Sequence, residues 1–227
     1  MTGTAQATRR TAAAGLAVAA LAALAACSSI IPGSEREAPK LYDLSPKSTF
    51  DPNLPKIDWQ LIVEEPVAAA GLNSARIALR RNPLTLEYYA RVAWTDTAPK
   101  MVQTRMIESF ENTHKVISVG RESVGLRSDF LLKTELRHFE VDYFTAGEGK
   151  PRVVVRIVAK LVRMPERTIV ADLTREVAMP AEANTIASIV DAFDESLGKM
   201  MKAVIEWTIR AGEEARVKGT GLRRELH

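Results

Sequence analysis

Three neighbouring segments alternate apolar and polar residues along their length: FLLKTELRHFEVDY (130–143), RVVVRIVAKLVR (152–163) and TIVADLTREV (168–177). Residues two apart lie on the same face of a strand, so each segment predicts a half-buried β-strand. Gly147 and Gly149 turn the chain after the first segment, and MPER (164–167) forms the loop after the second. Two successive hairpins make an antiparallel meander, which we expect to form the centre of the fold.

The alternation in the first segment changes phase once. Leu132 and Leu136 hold even positions, whereas Phe139 and Val141 hold odd ones. A one-residue slip in a regular strand would turn the later pair to the opposite face. We therefore predict a β-bulge near 137–138 that keeps all four side chains on one face.

The chain before the meander carries further strands and a helix. Asp96 and Thr97 are placed to cap this helix, with Pro99 in its first turn, and the apolar spacing carries it to 111–112. Strands are expected at 57–63, 76–79, 87–94 and 116–120.

A longer helix follows the meander. Apolar residues recur with a 3.6-residue period over 185–210, and Asn184 or Thr185 can cap the first turn. The order of strands, helix, strands, helix predicts an α+β fold. We expect an antiparallel or mixed sheet with two helices packed on one face, as a two-layer sandwich.

The first residues have the composition of a bacterial export signal. Arg9 and Arg10 precede an apolar run from Ala12 to Ala26. Such a run would reach about 22 Å as a helix, short of the ~30 Å hydrocarbon core, so a transmembrane anchor is the weaker interpretation.

The end of this run, Leu24-Ala25-Ala26-Cys27, resembles the lipobox of bacterial lipoproteins. The resemblance implies cleavage before Cys27, a diacylglycerol on its thiol and an acylated amine. The other interpretation is an inert free thiol. In enterobacterial lipoproteins an Asp after the cysteine retains the protein in the inner membrane, so Ser28 favours the outer membrane, on the periplasmic side of the envelope.

Four regions follow from these patterns. Residues 1–26 are the signal peptide, and 27–56 form the lipidated cysteine and an extended, Pro-rich tether. Within the tether, LYDL (41–44) is an apolar island that is either solvated or docked on the domain as a short strand. Residues 57–211 form the folded domain, and the charged, Gly-containing tail at 212–227 is expected to be disordered.

Composition excludes several classes of function. Cleavage of the signal peptide removes Arg9 and Arg10, so the mature chain has 29 basic and 28 acidic residues. Nucleic-acid binding needs a clustered excess of positive charge, so no nucleic-acid partner is expected. The single cysteine precludes an internal disulfide. We find no Gly-x-Ser-x-Gly elbow, no phosphate-binding Gly-rich loop and no clustered histidines, and we predict no catalytic residues, metal or cofactor.

Six further segments occur in a characteristic order: RIALR (76–80), YYARVAWTDTAP (88–99), ESFEN (108–112), LKTELRHF (132–139), AFD (192–194) and EW (206–207). Together they resemble the ABC-type transport auxiliary lipoproteins, a family that includes the paraquat-inducible lipoprotein C group. The resemblance spans about 41–211. It implies an accessory role beside an ABC transporter permease and ATPase and an MCE-type protein, in a system that moves lipids or other hydrophobic solutes between the membranes.

Tyr88, Tyr89 and Trp94 are the candidate partner interface, since aromatic residues are frequent interface hot spots. The alternative places Trp94 in the core at the end of its strand. A structural lipoprotein that binds another envelope component is the alternative function, and a homo-oligomer is possible under either.

Overall fold

A computed structural model of the protein describes residues 38–122, 127–145 and 150–225, with side chains given as far as residue 218. The described part contains two helices, α1 (Ala98–Glu111) and α2 (Ile186–Glu225). The strands are β1 (Lys40–Tyr42), β2 (Ile57–Val63), β3 (Val67–Ala68), β4 (Arg76–Arg80), β5 (Glu87–Trp94), β6 (Val116–Gly120), β7 (Phe130–Asp142), β8 (Arg152–Arg163) and β9 (Thr168–Pro180).

β7 is the central strand of a mixed, open sheet. Along one side it pairs with β8, which pairs with β9, and both pairings are antiparallel. Along its other side it pairs in turn with β2, β3 and β4, all parallel. β6 continues the sheet from β2, and β5 and β1 continue it from β4. The predicted meander and the α+β class are confirmed.

The predicted bulge in β7 is also confirmed. Leu136 pairs with Ile157 and His138 with Arg156, so the register shifts between these two pairs. The shift returns Phe139 to the buried face that holds Leu132 and Leu136. Gly147 and Gly149, expected to turn the chain into β8, lie outside the described residues.

The two helices contact each other and cover one face of the sheet. α2 lies along β8 and β9 and buries an apolar stripe with a helical period, namely Ile189, Phe193, Leu197, Met200, Met201, Val204, Ile205 and Ile209. Among the described residues, neither helix carries an apolar run of the length needed to cross a bilayer. α1 starts after Thr97 as predicted, but the Thr97 side chain makes no capping hydrogen bond. The nearby Asp96 carboxylate instead accepts a hydrogen bond from the Thr97 amide.

The folded region begins earlier than the predicted boundary at residue 57. Residues 40–56, which we expected to be an extended tether, lie against the domain and are called here the docked segment. Lys40 and Tyr42 pair with Val92 and Trp94 in a parallel ladder, and Leu44 and Leu54 are buried in the core. Of the two interpretations of the apolar island at 41–44, the structure shows the short strand.

Residues 212–225 of the tail, for which the sequence predicts disorder, are helical, because α2 continues to Glu225. We interpreted Gly212 as the start of the tail, but it lies where the helix crosses the Trp59 indole. A Cβ atom at this position would lie 2.4 Å from Trp59 Cζ2. Glycine therefore permits a close helix-to-sheet approach here instead of ending the helix.

We expect Gly212→Ala to lower the free energy of unfolding by up to about 2 kcal/mol. Alanine gains roughly 1 kcal/mol in helix propensity, but overpacking against the buried Trp59 costs about 1–3 kcal/mol. The matched control is Gly198→Ala in the same helix, where the nearest atom to the new Cβ is Lys47 Cδ at 3.8 Å. The control should gain roughly 0.5–1 kcal/mol. Chemical denaturation of both variants tests the contrast, and a stabilised Gly212→Ala protein would contradict it.

Candidate functional site

The lipobox residues Leu24, Ala25, Ala26 and Cys27 precede the described part of the chain. Lipidation of Cys27 therefore stays a prediction from the sequence. The structure locates the other candidate residues, Tyr88, Tyr89 and Trp94, and it separates them into three environments.

Trp94 lies in the core and is 1% exposed. Its ring packs edge-on against Phe193 of α2 with centroids 5.0 Å apart, and it is tilted against Phe139 of β7 at 5.7 Å. The interface interpretation therefore does not hold for Trp94, which has no surface to offer a partner. Trp94 is the last residue of β5 and the one residue of that strand that is fully buried. The aromatic content of the segment is typical of core packing as well as of recognition.

Tyr88 is half-buried and has its own local partners. Its hydroxyl donates to the Gly71 carbonyl at 3.0 Å, and the Arg76 guanidinium lies 3.6 Å from its ring centroid. The guanidinium covers one face of the ring, and Tyr88 as a whole residue is partly exposed.

Tyr89 belongs to a hydrogen-bonded chain at the end of the sheet where β4 and β7 finish. The Tyr89 and Tyr143 hydroxyls lie 2.8 Å apart, and the Tyr143 hydroxyl donates to Asn184 Oδ1 at 2.7 Å. Arg81 lies over the Tyr143 ring, with 5.1 Å between its guanidinium carbon and the ring centroid. Burial and the hydrogen bond to Tyr143 raise the pKa of Tyr89 above its ordinary value. The hydroxyl therefore stays protonated, and the chain joins the strand ends to the start of α2.

Backbone amides of the docked segment donate hydrogen bonds to side chains of both helices. The Ser45 amide donates to Asp194 of α2 at 2.6 Å, and the Lys47 amide donates to the Ser109 hydroxyl of α1 at 2.8 Å. Farther along, the Asp51 amide donates to Glu206 of α2 at 2.8 Å. Each bond satisfies a backbone group that would otherwise depend on water.

An open groove of about 590 Å³ lies between residues 43–48 and the first half of α2. Its walls are mostly polar and include Asp43, Asp191, Asp194 and Lys199. Apolar ligands favour pockets with predominantly apolar walls, so this groove is better suited to a polar or protein contact.

Two buried carboxylates lie near the end of β7. Glu140 Oε1 is 3.1 Å from Arg80 Nε and 2.6 Å from His138 Nδ1. Asp142 accepts hydrogen bonds from the Thr145 hydroxyl and amide, from Arg152 and from the Phe144 amide. Burial alone would raise the pKa of Asp142, but these donors outweigh it and hold the pKa below its ordinary value. Both carboxylates therefore act as structural anchors for the strand end.

We expect Asp142→Asn to lose about 1–3 kcal/mol of stability at neutral pH, because it weakens a charge-assisted set of hydrogen bonds. The depressed pKa stabilises the fold above the ordinary carboxyl pKa of about 4, and that contribution is lost as the pH falls below it. The difference between variant and wild type should consequently shrink on acidification in denaturant titrations. Asp172→Asn, at an exposed site on β9, is the control and should change little. If the stability difference between Asp142→Asn and wild type stayed the same in acid, the depressed pKa assigned to Asp142 would be wrong.

Within the described ranges, no group of three or more His, Cys, Asp or Glu side chains is arranged to hold a metal ion. Sequence reasoning missed the docked segment because its amides bind side chains of α1 and α2 that are distant along the chain. The apolar island at 41–44 was the one local signal for it.

Comparison with known proteins agrees with the family resemblance seen in the sequence. The model of the family described as ABC-type transport auxiliary lipoprotein component matches residues 41–205. The crystal structure of protein XCC0632 from Xanthomonas campestris is 30% identical, with a TM-score of 0.73 over 78% of this chain and 98% of that one. A second crystal structure, of an uncharacterized protein, is 12% identical with a TM-score of 0.58 over 74% of this chain and 97% of that one, and shows the same fold.

One curated relative, the uncharacterized protein bll6063 of Bradyrhizobium diazoefficiens, is 29% identical over 173 residues, or 75% of this chain. The matched region is 45% of that relative, so this chain spans less than half of its length. The resemblance seen in the strand and helix segments is confirmed over most of the chain. With a family match that begins in the docked segment and ends in α2, the protein belongs to the family of ABC-type transport auxiliary lipoprotein components.

Proposed function

We propose that this protein is a lipid-anchored, periplasmic accessory component of an ABC/MCE-type transport system that moves lipids or other hydrophobic solutes between the inner and outer membranes. The observation that carries the proposal is the family match over residues 41–205, which covers the docked segment and the folded domain. The permease, the ATPase and the MCE-type protein would be separate chains.

The docked segment supports a role in holding the domain at a membrane. With a lipid on Cys27, the residues between Cys27 and Lys40 could extend at most about 45 Å. Tension on this stretch would reach both helices through the backbone hydrogen bonds of Ser45 and Lys47. Ser28 favours the outer membrane as the site of attachment.

The packing of the described residues favours docking a partner over carrying a lipid inside the domain. The inner face of the sheet and the facing sides of α1 and α2 form one core of buried apolar side chains. The groove beside the docked segment lies outside that core and has polar walls. A lipid carrier needs an apolar cavity of several hundred Å³.

Purification of the tagged protein from chemically crosslinked cell envelopes tests the proposal. We expect mass spectrometry to recover an ABC permease, its ATPase or an MCE-type protein, with crosslinks to the domain. Recovery of cell-wall or other envelope components without any transporter chain would instead support the structural envelope role.

A further inference from the structure

Three exposed cationic side chains lie close to the end of β5 that carries Trp94. They are Lys40 of β1, which pairs with Val92, Arg76 of β4, and Arg91 of β5 itself. None of the three forms an ion pair with a carboxylate among the residues that the structure describes. Their charge is therefore available to a partner.

Strand pairing places Arg76 in line with an exposed apolar residue. Leu41 of β1 pairs with Ala93 of β5, and Ala93 pairs on its other side with Arg76. Paired residues lie on the same face of a sheet, so these three form one row. Because the adjacent Trp94 is buried in the core, the row lies on the face opposite the helices. Leu41 is 57% exposed there, so the sheet presents an apolar side chain and a cation together.

The Arg76 guanidinium is held in place by two neighbours. Its carbon lies 3.6 Å from the Tyr88 ring centroid, and its Nε donates to Ser74 Oγ at 3.4 Å. Both terminal Nη groups have no hydrogen-bond partner among the described residues. These two groups form the fork that binds a carboxylate through paired hydrogen bonds. An arginine that is already ordered loses less entropy when it binds.

Arg91 has a backbone conformation that is unusual for a residue with a side chain, with φ at 60°. It lies in a bulge of β5, because the register with β4 shifts between the pairs Ala78–Tyr88 and Arg76–Ala93. Glycine would adopt this conformation without strain. Strained residues cluster at functional sites, so an exposed arginine at this position indicates a role for its charge.

The composition of this surface is typical of a protein interface. We call it the cationic corner and define it by Lys40, Leu41, Arg76, Tyr88 and Arg91. Tyrosine and arginine are enriched among the residues that contribute most to binding, and an apolar group beside them excludes water. Unpaired positive charge on one partner is matched by negative charge on the other.

We propose that the cationic corner binds an acidic segment of a partner protein. A carboxylate of that segment contacts the Nη groups of Arg76, and an apolar side chain of the segment packs on Leu41. The inference rests on the proposed function in taking the partner to be a separate protein chain. Of the three aromatic residues predicted as the interface, Tyr88 is the one that belongs to this surface.

Photo-crosslinking of the full-length protein in living cells tests the inference. The photoreactive residue p-benzoylphenylalanine replaces Leu41 in one version and Ile169 in the control. Ile169 is 54% exposed, much as Leu41 is, but it lies on β9, which β5, β4, β7 and β8 separate from β1. Arg76→Glu and Arg76→Lys are then combined with the probe at position 41. The matched charge control is Arg175→Glu, at an exposed site on β9.

We expect a protein crosslink at position 41 that is several-fold stronger than at position 169 and that maps to a segment containing Asp or Glu. Arg76→Glu should lower its yield about tenfold, because it places like charges opposite each other. Arg76→Lys should cause a smaller loss, since it keeps the charge but not the fork. Arg175→Glu should leave the yield unchanged. The comparison of positions 41 and 169 keeps all native charges, so it decides even if Arg76→Glu destabilises the domain.

Equal yields at positions 41 and 169 overturn the inference. So does a crosslink to phospholipid, a captured segment without acidic residues, or an Arg76→Glu yield equal to that of wild type. If transporter chains still copurify in any of these cases, the proposed function stands alone. Capture at position 41 of an acidic segment from a chain outside any transporter, lost in Arg76→Glu, supports the inference and contradicts the proposed function.

Discussion

The free energy of unfolding of Trp94→Ala should be about 3–5 kcal/mol lower than that of the wild type, because the substitution removes a large aromatic side chain from a filled core. Trp94 is almost fully buried and contacts Phe193 and Phe139, which belong to the two layers of the sandwich. Its loss therefore opens a cavity between α2 and the sheet and removes one of the contacts that hold the two layers together. The melting temperature should fall by roughly 6–20 °C for a domain of this size.

The control for this variant is Leu84→Ala, which removes an apolar side chain from an exposed turn. Its free energy of unfolding should stay within about 0.5 kcal/mol of wild type. If Trp94→Ala keeps wild-type stability in thermal melts yet no longer binds transporter chains, the residue is an interface residue and the core assignment is wrong.

Leu44→Ala should cost about 2–4 kcal/mol, although it lies before the strand at which the sequence predicted the domain to begin. Leu44 is 3% exposed and belongs to the same apolar cluster as Trp94. Its removal leaves a cavity under the docked segment and weakens the link between that segment and the two helices. Urea denaturation with tryptophan fluorescence measures the loss.

Leu41→Ala is the matched control, because Leu41 lies on the same segment but is 57% exposed. It should change the unfolding free energy by less than about 0.5 kcal/mol. Equal, negligible effects of both substitutions would mean that residues 40–56 are a free tether in solution, as the sequence suggested.

The meander could be predicted because its signals are local. The period-two pattern of β7, β8 and β9 places each side chain on a face, and the phase change around Arg137 and His138 required a bulge. The helices followed from their 3.6-residue periodicity in the same way. Packing both helices on one face of a mixed sheet buries the apolar face of the sheet and the apolar stripe of each helix.

The elements that could not be predicted depend on distant partners. β2, β3 and β4 pair in turn along a single side of β7, and no local pattern specifies which strand takes which part of it. The role of Gly212 could not be predicted either, because the need for a glycine comes from its contact with Trp59, which is distant in the sequence. In the candidate site, Tyr88 and Tyr89 are partly exposed, whereas Trp94 is buried in the core. The sequence alone does not show which aromatic residues of a strand face the core and which face the surface.

Mass spectrometry of the protein extracted from isolated envelopes tests the central claim, that a lipid on one cysteine holds this domain outside the cytoplasmic membrane. We predict a mature chain that begins at Cys27, with an amino-terminal peptide carrying three fatty acyl groups that are absent from a Cys27→Ser variant. A full-length, unmodified chain recovered from the cytosol would contradict the claim.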